Sequence, residues 1–175
     1  MKKLPKLHLC CATDFRETLQ HILITKENII ATDGHIMAIN KTNEVFEEEF
    51  ISNFPYDEFY IHYSVWKEIW NKRFYWENNN IIVVKSGLEI KVPIVHNPDW
   101  KYPNWKNVIP NTENLVDINE IGLKPELLYK LEQSLPIDGA YHNLKFTGKD
   151  RAILLFDNSN VHKSFGLIMP VVIKR

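Results

Sequence analysis

Glycine is scarce in this 175-residue chain, with six in all. Cysteine is scarcer: two residues, side by side at Cys10 and Cys11. Neighbours of this kind rarely bridge each other, so a disulfide framework is excluded. No Cys-x-x-Cys or His-Glu-x-x-His spacing occurs, and His8, His21, His62, His96, His142 and His162 are scattered without ligand spacing. Neither a metal nor a cofactor is therefore expected. An excess of one charge is also lacking: Lys plus Arg total 21, Asp plus Glu total 22, and the formal net charge is -1. Long-range attraction to nucleic acid is thereby excluded, and any DNA contact must come from local basic groups or from several copies pooling theirs. The opening stretch MKKLPKLHLCCATDF holds only a short apolar run, too short for a signal peptide or a membrane span. A reduced, cytoplasmic protein with no membrane partner is the expectation.

What is present is globular in proportion. Hydrophobic residues make up 45% and charged residues 25%, enough for a core without staples. Strand-like runs dominate. Leu19 to Thr25 and Ile29 to Asn40 read as a hairpin around Lys26-Glu27-Asn28. Glu44 to Asp57 is acidic, contains Pro55, and reads as a loop or an edge. Glu58 to Ile61 is a short strand. In Tyr63 to Phe74, Val65, Trp66, Ile69 and Trp70 recur at helical spacing behind Ser64 as N-cap. Ile81 to Lys85 and Leu88 to Val95 form a hairpin around Ser86-Gly87.

His96 to Asn114 carries three prolines with Trp100, Tyr102 and Trp105 among them, and reads as a linker packed on a surface. Beyond it Leu115 to Ile121 is a strand and Lys124 to Ser134 a helix with Pro125 in its first turn. Leu144 to Thr147, Ala152 to Asp157 and Ser164 to Ile173 are strands, with Asp157 to Asn160 as a turn. Glu58, Ile61, Val65, Trp66 and Ile69 match Glu120, Leu123, Leu127, Leu128 and Leu131 at a constant offset of 62 residues (Glu58 to Glu120). Both copies read strand, helix, then hairpin strands, an internal repeat of a βαβββ unit in an α+β protein of antiparallel sheets.

Three short motifs stand in order: ATDGHIMAI from Ala31, YPNWKNVIP from Tyr102 and LIMPVVI from Leu167. Together with the βαβββ repeat they resemble the bacterial DNA polymerase III beta subunit, the sliding clamp, whose typical motifs are ATDGHRLA, FPDYRRVLP and a VMPMRL-like tail. The resemblance covers most of this chain and about half of a family member's length. It implies the DNA-clamp fold in three half-domains, the first truncated, with no counterpart of the family's first domain. The implied divisions are a clamp-like domain over 1–96, a linker over 97–114 and half of a clamp domain over 115–175.

In the family the three motifs build a pocket for short peptides of polymerases, loaders and repair enzymes. By matching position, the resemblance implies a pocket of Leu19, Thr32, Gly34, His35 and Met37, with Pro103 and Val108 from the linker and Leu167, Met169 and Pro170 from the tail. The chemistry suits this, since a peptide pocket needs an apolar floor with a few polar groups and Met adapts to varied partners. The chain departs from the family at Ile36, Lys106 and Asn107, where the pocket rim loses arginines. The family ring is lined by the unit helices, which here would present Lys67, Lys72 and Arg73 from the first helix and Lys124 and Lys130 from the second. Glu68, Glu126 and Glu132 dilute that charge.

The function implied is a clamp-like replication processivity factor without chemistry of its own. Its partners would be replication or repair proteins with clamp-binding peptides, weakly held non-specific double-stranded DNA, and further copies of itself in a homo-oligomer. Two alternatives stand beside it. One is an interaction module that keeps the pocket and never rings DNA. The other is a small hydrolase with Asp33 and His35, on one strand face at i, i+2, as an acid–base pair. Against the hydrolase, no nucleophile, metal set or glycine loop accompanies the pair, and Asp33-Gly34 can simply shape a bend.

Overall fold

Isoleucine-rich runs form the first three strands, β1 (His21–Thr25), β2 (Asn28–Thr32) and β3 (Ile36–Lys41), because β-branched side chains fit a buried, pleated surface. They belong to a computed structural model that describes residues 4–78, 80–97, 99–136, 142–157 and 163–171. The β1–β2 turn is held by Thr25, whose hydroxyl donates to the Asn28 carbonyl and accepts from the Asn28 N–H, both at 2.9 Å. Leu19, read as strand, lies instead in a 3-10 turn, Glu17–Gln20.

The acidic stretch after β3 is helical rather than a loop or an edge. It forms α1 (Thr42–Val45) and α2 (Glu48–Ser52). Phe46, Phe50 and Phe54 recur every four residues and drive this, packing ring on ring, with Phe46 4.7 Å from Phe50 and Phe50 stacked 5.1 Å from Trp76. Glu47, Glu48 and Glu49 take the outer face, while the half-buried Glu44 accepts from the Ser164 N–H and hydroxyl.

The next segment gives β4 (Glu58–His62), α3 (Tyr63–Ile69), β5 (Arg73–Glu77), β6 (Asn80–Lys85) and β7 (Leu88–Val92). This is a full βαβββ unit. The helix is shorter than its spacing implied: Arg73 and Phe74 belong to β5, because alternation in Arg-Phe-Tyr-Trp-Glu sends Phe74 and Trp76 to the core. Ser64 is not the N-cap. That position is His62, whose ring accepts from the Ser64 N–H. The last unit holds α4 (Pro125–Gln133), β8 (His142–Lys145), β9 (Ile153–Asp157) and β10 (Phe165–Ile168). Leu115 to Ile121, expected as a strand, forms no ladder. Leu115 and Val116 stay exposed, and an isolated bridge pairs Gly122 with Val171. The tail beyond Val171 and the turn residues Asn158 to Asn160 lie outside the described residues.

Seven strands form one antiparallel sheet in the order β4-β1-β2-β3-β10-β9-β8, and β5-β6-β7 form a second. The β3–β10 seam joins the two ends of the chain, with Met37 opposite Leu167 and Ile36 opposite Ile168. Alternation along β3 sends Ile36 and Ala38 to the main core and Met37 and Ile39 to the other face. The main core lies under α3 and α4. Between these helices runs the segment Leu4 to Cys10. The Leu4 N–H donates to the Trp70 carbonyl and the Lys6 N–H to the Gln133 carbonyl. The linker covers the opposite face, where Trp100, Tyr102, Trp105 and Ile109 pack over Met37, Ile39, Tyr60 and Leu167. No helix among the described residues is long and apolar enough to cross a membrane.

Candidate functional site

The bend between β2 and β3 is built by its own side chains. The Thr32 hydroxyl donates to the Ile36 carbonyl at 2.7 Å and accepts from the Gly34 N–H at 3.0 Å. Asp33 Oδ1 accepts from the N–H groups of His35 and Ile36, at 2.8 and 2.9 Å. Gly34 has φ +88°, a conformation that side chains with a Cβ rarely adopt. Thr32, Asp33 and Gly34 thus shape the turn, and His35 is left exposed on it.

Strand β10 continues past this bend. The Met169 N–H donates to the His35 carbonyl at 2.8 Å, two residues beyond the Leu167–Met37 pair and next to Ile168–Ile36. Six of the ten pocket residues expected from sequence, Thr32, Gly34, His35, Met37, Leu167 and Met169, therefore meet at one end of β2, β3 and β10. Pro170 follows directly, partly buried. Met37 and Leu167 are buried, while Met169 is 40% exposed, an apolar side chain open to solvent. Leu19 is buried on the turn leading into β1. Pro103 and Val108 lie on the linker with their side chains outward, Val108 being 50% exposed.

One residue at this site escaped the sequence reading. The Arg16 guanidinium stands 3.0 Å from the position a Cβ would take on Gly34. Arg16 also grips Asp14, its Nη2 2.6 Å from Oδ2, and this bonding holds the Asp14 carboxyl below its ordinary range. A guanidinium thus returns to a rim whose motif arginines are missing, from a different segment. No local spacing announces it.

Behind the bend is a groove of about 440 Å³ lined by His8, Arg16, Asp33, His35, Lys67 and Lys130, among others. Two of the five basic residues expected to face DNA, Lys67 on α3 and Lys130 on α4, are brought together here. The other three are elsewhere. Lys72 lies 3.2 Å from Glu68, Arg73 opens β5, and Lys124 is the exposed N-cap of α4. Lys130 is itself paired with Glu126 at 2.5 Å.

His8 is lowered to about 4, by burial first and by Lys67 and Lys6 in addition. An unfolded His8 would take its proton near the ordinary value of 6.5. Between 6.5 and about 4 the unfolded chain binds more protons, so this stabilising contribution is complete above 6.5 and is lost as pH falls through that window. His62, lowered by burial and by His21, acts with the same sign. The urea midpoint should therefore drop from pH 7 to pH 4.5, and by visibly less in His8→Gln. An equal drop in both proteins would remove His8 from this account.

No family model matches the sequence, and no curated protein matches it. Solved structures do. The DNA polymerase III beta chain of Streptococcus pneumoniae superposes with a TM-score of 0.62 at 14% identity, over 96% of this chain and 62% of its own. The sliding clamp of Bacillus subtilis gives 0.59 at 16% identity, over 98% and 64%. The Helicobacter pylori beta clamp, bound to a DNA ligase peptide, gives 0.64 at 11% identity, over 96% and 62%. This chain has the sliding-clamp fold. It spans just over six-tenths of the length of these clamps. The clamp fold explains why a βαβββ repeat, two core helices and a sheet running across the β3–β10 seam occur together.

Proposed function

We propose that this chain is a clamp-like binding protein that captures short linear peptides of replication or repair proteins at the end of β2, β3 and β10. The observation that carries the reading is the Met37–Leu167 pair extended by the Met169–His35 hydrogen bond. It sets a buried apolar floor beside an exposed Met and a polar turn. Sites that bind a peptide by one or two anchor side chains have this composition. The clamp bound to a DNA ligase peptide lends support through its fold. Chemistry is not part of the proposal: Asp33 spends its Oδ1 on two backbone N–H groups, which suits a turn residue better than an acid–base catalyst. A ring of several copies around DNA is the extension of the reading. Lys67 and Lys130 favour it by sharing one groove, since sequence-blind phosphate contacts need only local positive charge.

Fluorescence anisotropy with a labelled DNA ligase peptide of the kind bound by the Helicobacter pylori clamp tests this. Met169→Glu should weaken binding by about tenfold or more, about 1.4 kcal/mol, at an unchanged melting temperature, because Met169 is exposed. A wild-type chain that ignores the peptide, or a variant that binds it equally well, would overturn the reading. A labelled duplex in the same assay, at about 50 and about 200 mM salt, reports on the DNA extension, whose contacts must weaken steeply with salt.

A further inference from the structure

Two histidines far apart in the sequence meet across a strand pair. His21 opens β1, His62 closes β4, and they stand directly opposite each other. Leu23 and Tyr60, two residues along the same pair, belong to the cluster under the linker, so both imidazoles stand on that face of the sheet. Trp100 of the linker lies over the row, edge-on to His21 at 4.7 Å and to Tyr60 at 5.5 Å. His21 is only 6% exposed, while His62 is half-buried and opens the pair to solvent.

Both rings are held from behind. His21 Nδ1 lies 2.9 Å from the Glu17 carbonyl, which can only accept, so Nδ1 carries the proton and Nε2 keeps its lone pair. A histidine that donates one ring N–H to a backbone carbonyl and turns the other nitrogen outward is oriented as metal-ligating histidines are. His62 Nδ1 lies 2.7 Å from Ser64 Oγ, and its Nε2 lies 3.3 Å from Oε1 of Gln20. The Gln20 amide is turned in its own right: its Nε2 donates to the Asp14 carbonyl, which leaves Oε1 for the imidazole side. The distances suit one shared ion. Around a tetrahedral zinc with bonds of about 2.1 Å, neighbouring ligand atoms stand about 3.4 Å apart and two imidazole centres about 5 Å apart. Here the ring centres are 4.9 Å apart, with their planes at 70°, and the Gln20 Oε1 to His62 Nε2 distance is the 3.3 Å already given.

We infer that His21 and His62 bind a divalent ion of the zinc class through their Nε2 atoms, with the amide oxygen of Gln20 as third ligand and water as fourth. Neutral imidazole suits zinc, copper and nickel, whereas magnesium and calcium take oxygen ligands. On binding, the ring proton of His62 sits on Nδ1 and is donated to Ser64 Oγ, which frees Nε2 for the ion. No third His, Cys, Asp or Glu joins the pair among the described residues. The site is therefore an open one that exchanges its ion, unlike a closed four-ligand structural centre. It ties the end of β4 to the start of β1 beneath Trp100. The absence of ligand spacing in the sequence gave no sign of it, because strand register brings the two histidines together and no local motif does. None of its residues belongs to the peptide site, so either can fail without the other.

Isothermal titration of the full chain with zinc chloride, after dialysis against a chelator, tests the site. One ion per chain should bind. At free zinc about ten times the dissociation constant, the melting temperature should rise by about 3–6 °C. His62→Gln should weaken binding about tenfold or more and remove that rise, each protein being compared with its own metal-free melt so that a change in fold stability is not read as lost binding. Gln20→Ala should weaken binding by a smaller factor. His96→Gln, at an exposed ring stacked on Tyr56, should bind as the wild type does. Cobalt(II) in place of zinc should give the visible absorption of a four-coordinate ion, absent in His62→Gln. A wild type that takes up no zinc, or a His62→Gln protein that binds it as tightly, would overturn the inference. So would equal losses in His62→Gln and His96→Gln, which would place the ion on scattered surface histidines.

Discussion

Replacing Trp66 with Ala is expected to lower the free energy of unfolding by about 3–5 kcal/mol, the usual cost of removing a large aromatic from a packed core. That is about a fifth or more of the stability of an ordinary domain. Trp66 is fully buried, at 0% exposure, on the inner face of α3. Its ring stands edge-on to Phe46 at 6.3 Å, and its Nε1 donates to the Pro5 carbonyl at 2.9 Å. The substitution therefore opens a cavity and removes one of the two donors to the buried Pro5 carbonyl, which keeps its bond from the Leu7 N–H. Trp66→Phe separates the two effects. It keeps most of the bulk and loses the hydrogen bond, and should cost about 1–3 kcal/mol. Urea unfolding of both variants is the measurement. Equal costs would mean that the hydrogen bond, rather than the volume, ties Leu4 to Cys10 against α3.

The place of Trp66 was legible in the sequence, and the reasons show where such legibility stops. Its helical spacing with Val65, Ile69 and Trp70 marks α3, and Trp66 lies in the core with Val65 and Trp70 packed against it. The end of α3 was hidden, because Phe74 and Trp76 continue the aromatic content while the period changes from helix to strand. In α1 and α2 the spacing of Phe46, Phe50 and Phe54 was present, and four glutamates between Glu44 and Asp57, with Glu58 beyond, pointed to a solvent face instead. The bend at Thr32 to His35 is a local matter and could be read locally. The β3–β10 pairing and the approach of Arg16 to Gly34 join segments that no periodicity connects. Only the three motifs in order gave a hint of the first, and nothing gave the second. The repeat was half visible: its helices and hairpins form in both units. Among the described residues the first strand of the second copy makes only the Val116–Phe146 backbone bond and the Gly122–Val171 bridge, and it forms no ladder.

The same seam sets the second large effect. Gly166 lies on β10 opposite Ala38 and Leu155, and a Cβ placed there would stand 2.7 Å from Cγ, Cδ1 and Cδ2 of Leu131. Leu131 is fully buried on α4, so its whole isobutyl end is caged and cannot swing away. Gly166→Ala must push α4 off the sheet or strain its rotamer, at about 1–3 kcal/mol. Leu131→Ala alone should cost about 2–5 kcal/mol through the cavity it leaves. In the double variant the new methyl enters that cavity, so the combined cost should fall below the sum of the two by about 0.5–3 kcal/mol. Additive costs would show that α4 already has slack over β10. The cycle also bears on the peptide site. Leu167 and Met169 follow Gly166 on the same strand, and their register with Met37 and His35 is held while α4 lies flat against β10. Gly166→Ala should therefore weaken peptide capture as well as the fold, whereas Trp66→Phe, on the far side of the Leu4 to Cys10 segment, should leave capture unchanged.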